Sequence, residues 1–117
     1  MKWSIILILA IVVLSGCITG AQTADTASFA QCLTEKEVVM YGAFWCSHCA
    51  DEKKLFGAGW KNMTYVECDA KGKNPQTELC LEKDIAGYPT FIFADESRLE
   101  GVQSLEVLAQ KTGCILE

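Results

Sequence analysis

The 117-residue sequence holds one histidine and no internal repeat, and its basic side chains are outnumbered by acidic ones, 10 against 15. Each shortage argues against a class of function. A lone histidine, with no second close cysteine pair, does not make the usual structural zinc site, which draws on two close pairs of ligands. A net charge of -5 with no basic stripe is a poor match for nucleic acid. Long apolar runs are missing too: the longest, Ile5 to Leu14, falls short of the ~20 residues that a helical membrane span takes.

That run stands behind Lys2, Trp3 and Ser4, the arrangement of a positive n-region and an apolar h-region of signal-peptide length. It ends Leu14-Ser15-Gly16-Cys17, which resembles the lipobox of bacterial lipoproteins, whose cysteine is lipidated and becomes the new N-terminus. The resemblance implies a signal segment over 1–16, lipidation of Cys17, a small and polar tether over 17–27, and a domain over 28–117. An ordinary signal peptide and an uncleaved anchor are the alternatives, and all three readings place the domain outside the cytoplasm. Loss of 1–16 removes Lys2, the one charge there, and takes the net charge from -5 to -6.

Seven cysteines are present: Cys17, Cys32, Cys46, Cys49, Cys68, Cys80 and Cys114. With Cys17 given to lipid the rest form an even set, suited to an oxidising compartment. Cys46 and Cys49 make the single C-x-x-C. Four cysteines allow three connectivities. Cys68 closes an expected strand and Cys80 lies in the helix one loop later, so these two are expected to pair; Cys32 with Cys114 would tie the first helix to the C-terminus.

Periodicity and turn residues divide the domain into elements. A helix is expected from an N-cap at Ser28, with Phe29, Cys32 and Leu33 on one face. Val38 to Ala43 reads as a buried strand running into C-x-x-C, and Ser47 to Phe56 as a helix ended by Gly57 or Gly59. Met63 to Glu67 reads as a strand. Asn74 then caps a helix with Pro75 at its first position. Thr90 to Phe93 and Leu99 to Val102 form a hairpin, and Ser104 to Lys111 the last helix, stopped at Gly113. Trp60 and Phe44 are the expected aromatic core residues. The order is that of an α/β thioredoxin-like fold, a central four-stranded mixed sheet flanked by helices, without the first strand of full thioredoxin.

A C-x-x-C at a helix start is a redox arrangement for a physical reason. The attacking species in disulfide exchange is a thiolate, and a free thiol with a pKa of ~8.5 is mostly protonated at neutral pH. Unpaired N–H groups and the positive end of the helix dipole stabilise the anion at the first turn. Cys46 is therefore expected to be the exposed nucleophile and Cys49 the more buried resolver. His48, between the two sulfurs, is expected to favour the reduced site and so make the disulfide a stronger oxidant, within a range of roughly -270 to -120 mV. Trp45 is expected to lie beside the nucleophile as an apolar contact for substrate peptide.

The segment Tyr41-Gly42-Ala43-Phe44-Trp45-Cys46-Ser47-His48-Cys49 resembles the thioredoxin superfamily. Taken with Phe56-Gly57, Tyr65 to Asp69, Leu79-Cys80, Gly87-Tyr88-Pro89-Thr90 and Gly101 to Leu108, it is similar to the thioredoxin-like domain associated with bacterial vitamin K epoxide reductase homologues. The resemblance implies an oxidative relay that takes electrons from thiols of exported proteins and hands them to a quinone-linked membrane partner, here a separate chain. It implies no cofactor. It also implies a cis Pro89, with the backbone of Tyr88 offered to substrate. Ser47 replaces the family's usual proline, and Phe91 a common tryptophan. In thioredoxin itself a buried acidic residue stands six positions before the first active cysteine; here that position is Met40, which removes an aid to deprotonating Cys49. Against an extracytoplasmic dithiol oxidase or isomerase stand a reductase of exported proteins and a non-enzymatic module that holds a metal or a structural disulfide at Cys46 and Cys49.

Overall fold

The computed structural model describes residues 25–117; the expected signal segment 1–16, Cys17 and the expected tether as far as residue 24 lie outside the described residues. The elements are α1 (Thr26–Glu35), β1 (Val39–Gly42), α2 (Ser47–Phe56), a 3-10 turn (Gly57–Asn62), β2 (Thr64–Glu67), α3 (Thr77–Glu82), β3 (Thr90–Ile92), β4 (Arg98–Glu100) and α4 (Leu105–Thr112). The strands form one mixed sheet in the order β2-β1-β3-β4. β1 runs parallel to β2 and antiparallel to β3, which pairs antiparallel with β4. This is the expected α/β arrangement, with no strand ahead of α1 among the described residues.

Strand alternation divides the core in two. Met40, Tyr65 and Phe91 face one side of the sheet, where they meet Phe29 and Leu33 of α1, Phe56 of α2 and Leu108 of α4. Tyr41, Val66 and Ile92 face the other side, with Leu79 and Cys80 of α3. Phe29, Phe56 and Phe91 are fully buried, each stabilising the fold by about 2–3 kcal/mol relative to exposure. The ends of α4 follow the residues there: the Ser104 hydroxyl accepts from Val107 N–H, and Gly113 takes a left-handed φ of 78°.

Three boundaries and one core assignment depart from the sequence expectation. α1 starts earlier, because Asp25 is its cap and its carboxylate accepts from Ser28 N–H at 3.2 Å; Ser28 is the partner and not the cap. Asn74 and Pro75 do not open α3. Asn74 has φ 50°, Pro75 bridges to Glu67, and Gln76 N–H donates to Glu67 O at 2.8 Å, so this stretch extends the edge of β2 and the helix waits until Thr77. β4 stops at Glu100, because Gly101 turns away at φ 86° while its N–H is held by Pro89 O. Phe44 is 57% exposed and not in the core, since β1 has already ended at Gly42.

Candidate active site

β1 delivers the chain to Cys46, which takes an extended conformation and caps α2: its Sγ accepts from Cys49 N–H at 3.4 Å. A sulfur in that place faces the amides of the first turn of the helix. Cys46 and Cys49 are the free cysteines among the described residues. Cys46 is not the open nucleophile that its position suggested, being only 8% exposed, yet it is the more accessible of the pair, with Cys49 at 1%. Burial pushes the Cys49 thiol up to about 12, against the pull of Ala43 N–H and Lys53. The two sulfurs are thus unequal: one sits at the mouth, and the other keeps its proton inside.

Opposite Cys46 is the turn before β3. The Tyr88–Pro89 bond is cis, and the Cys46 thiol donates to Tyr88 O at 3.7 Å. Trp45 stands edge-on to Tyr88 with ring centres 6.0 Å apart, and its indole N–H donates to Asp69 Oδ2 at 2.7 Å. Lys71 N–H and that indole hold the Asp69 carboxyl below the usual carboxylate range. Trp45 and Phe44 are more than half exposed beside the sulfur. His48 and Ser47 lie exposed on the first turn of α2. Among the described residues the other four cysteines stand apart from this site as two bridges, Cys32–Cys114 and Cys68–Cys80, with Cα atoms 5.9 and 5.7 Å apart.

Two buried carboxyls, Glu52 and Glu67, and the half-buried Tyr65 were not singled out by the sequence pattern. Glu52 is fully buried; its Oε2 accepts from Gln103 N–H at 2.7 Å, and Oε1 has no partner. Burial raises its pKa to about 7, with the Gln103 N–H opposing. Its signal was available: Glu52 falls three residues after Cys49 and four before Phe56, on the inward stripe of α2. Glu67 is 3% exposed, and its carboxylate accepts from Phe44 N–H at 2.8 Å and from the Tyr65 hydroxyl. Burial, and then the bond to Glu67, push the Tyr65 phenol above its usual range, as do the nearby cysteines. The alternation of β2 places both side chains on one face, but nothing local says that this face looks toward Cys49.

No family model matches the chain. The sequence is similar to the thiol-disulfide oxidoreductase LTO1 of Arabidopsis thaliana, with 43% identity over 82 residues, covering 67% of this chain and 22% of that protein. The chain thus spans about a fifth of that relative's length and is related to a thiol-disulfide oxidoreductase through that part.

Proposed function

We propose that the chain is an extracytoplasmic thiol-disulfide oxidoreductase that oxidises or isomerises dithiols of exported proteins through Cys46 and Cys49. The observation that carries this reading is the capping geometry of Cys46, whose Sγ accepts from Cys49 N–H while it faces the Tyr88 carbonyl. In the oxidising direction a substrate thiolate attacks Cys46 Sγ of the disulfide form. The Cys46–Cys49 bond breaks, its electron pair goes to Cys49, and a mixed disulfide joins the substrate to Cys46. A second substrate thiolate then attacks its own sulfur in that bond and releases Cys46, leaving substrate oxidised and protein reduced.

Trp45, Phe44 and Tyr88 supply an apolar rim for the peptide around the scissile bond, with His48 exposed on the first turn of α2 beside it. Re-oxidation falls to a quinone-linked membrane partner of the vitamin K epoxide reductase homologue type. Lipid on Cys17 would hold the domain beside it and raise its effective concentration without new contacts. A reductase is the second reading, favoured by one observation: Tyr65 and Glu67 bring polar groups to the sheet face where Met40 has none.

Two measurements decide. A titration of the Cys46/Cys49 couple against glutathione is expected to give a potential well above the thioredoxin end, roughly -270 mV; a value at that end favours the reductase. Cys49→Ala is expected to accumulate mixed disulfides with exported thiol proteins and Cys46→Ala none, and equal trapping by both would refute the assignment of Cys46.

A further inference from the structure

Cys49 is 1% exposed and holds its proton up to about 12, so whatever exchanges that proton during catalysis has to reach it inside the protein. Besides Glu52 one turn along α2, polar groups come from the neighbouring strand. Met40 and Gly42 of β1 pair in register with Tyr65 and Glu67 of β2, and by alternation all four share the sheet face on which Cys49 packs. Glycine at 42 leaves a gap there. A Cβ at that position would lie 2.8 Å from Cys49 Sγ, 3.0 Å from Tyr65 Cε2 and 3.3 Å from the Tyr65 hydroxyl oxygen, so thiol and phenol both border this one point.

The Tyr65 hydroxyl in turn donates to Glu67 Oε2, and Glu67 Oε1 is fixed by Phe44 N–H. Both side chains also line an open cleft of about 630 Å³, together with Phe44, Lys53, Trp60 and Lys73. That volume holds many waters, and its walls are polar enough to keep them. Lys53 stands over the Tyr65 ring, its Nζ 4.5 Å from the centroid, where it opposes the build-up of negative charge.

We propose that Tyr65 and Glu67 are the proton path of Cys49, the Tyr65 hydroxyl exchanging a proton with the thiol and Glu67 exchanging it with water in the cleft. The inference deepens the exchange reading above and rests on it. When the dithiol meets a disulfide, the Cys46 thiolate attacks one sulfur and the first leaving thiolate departs. The Cys49 proton then passes to the Tyr65 oxygen as the Tyr65 proton moves to the Glu67 carboxylate. Cys49 sulfur attacks Cys46 Sγ, the intramolecular disulfide forms, the second thiolate leaves, and Glu67 yields its proton to water. In the oxidising direction Cys49 is the leaving group and is reprotonated along the same path.

The full chain, reduced and mixed with a chromogenic aryl disulfide, separates the steps: attack by Cys46 releases the first aryl thiolate, and resolution by Cys49 the second. Tyr65→Phe and Glu67→Gln are expected to leave the first phase unchanged and to slow the second about 100-fold at neutral pH, the deficit shrinking as rising pH lets hydroxide take the proton. An unaltered second phase in both variants would overturn the path. So would equal slowing of both phases, which is what a merely structural role produces. The first phase also reports that the site is folded, and Glu67→Gln decides alone should Tyr65→Phe not fold. Absence of any aryl thiolate release by the unmodified chain would instead overturn the exchange reading itself.

Discussion

Glu52 is a carboxyl placed where a side chain of its charge costs most. It is fully buried, with one oxygen held by Gln103 N–H and the other unpartnered. Its pKa in the fold, about 7, stands above the ordinary 4.5, so the native state binds this proton more tightly than the unfolded chain does. The stability it allows is therefore complete below about pH 4.5 and is lost as the pH rises through 7, reaching a deficit of about 3 kcal/mol. Glu52→Gln keeps an oxygen for Gln103 N–H and cannot ionise. Urea midpoints of this variant and the unmodified chain are expected to agree near pH 4 and to diverge in favour of the variant above pH 7; parallel curves would show that Glu52 does not titrate there.

At the scale of the element, the junction of β1 with α2 is where fold and chemistry meet. Gly42 is the last residue of β1, and its missing side chain is what allows α2 to set Cys49 down against Tyr65. Gly42→Ala would put a methyl group 2.8 Å from Cys49 Sγ and against the Tyr65 ring, so sulfur or ring has to move in a packed layer. We expect a loss of about 1–3 kcal/mol by denaturant unfolding, together with slower resolution by Cys49. A variant with an unchanged midpoint and full exchange rate would mean that the junction is looser than these distances imply. The requirement was invisible in the strand pattern, where Gly42 reads only as a weak strand residue.

For the whole molecule, two bridges reinforce a small core. Cys32–Cys114 joins α1 to the segment after α4 across 82 positions, whereas Cys68–Cys80 closes only 12. If the bridges act by restricting the unfolded chain, the longer closure contributes more, about 4–5 kcal/mol against about 3. Replacing Cys32 and Cys114 together by Ala is expected to lower the unfolding midpoint further than replacing Cys68 and Cys80. The reverse order would locate the stabilisation in local packing of α3 against β2. Neither replacement touches Cys46 or Cys49, so aryl disulfide exchange is expected to persist in whichever variant stays folded.

The sequence by itself determined the order of elements, the α/β class and the place of the C-x-x-C at the start of α2. These rest on neighbours in the chain: apolar runs, helix periodicity, and the cap and stop residues Ser104 and Gly113 act over a few positions. Only the tertiary structure decided the rest, because burial depends on which elements close over a residue. It left Phe44 outside, drew Asn74 and Pro75 to the edge of β2, and sank Cys46 further than its position suggested. It also buried two carboxyls and turned Tyr65 toward Cys49, so the polar groups missing at Met40 on β1 are supplied from the adjacent strand. A local pattern shows which face a side chain takes; what that face meets is decided by packing between segments distant in the chain.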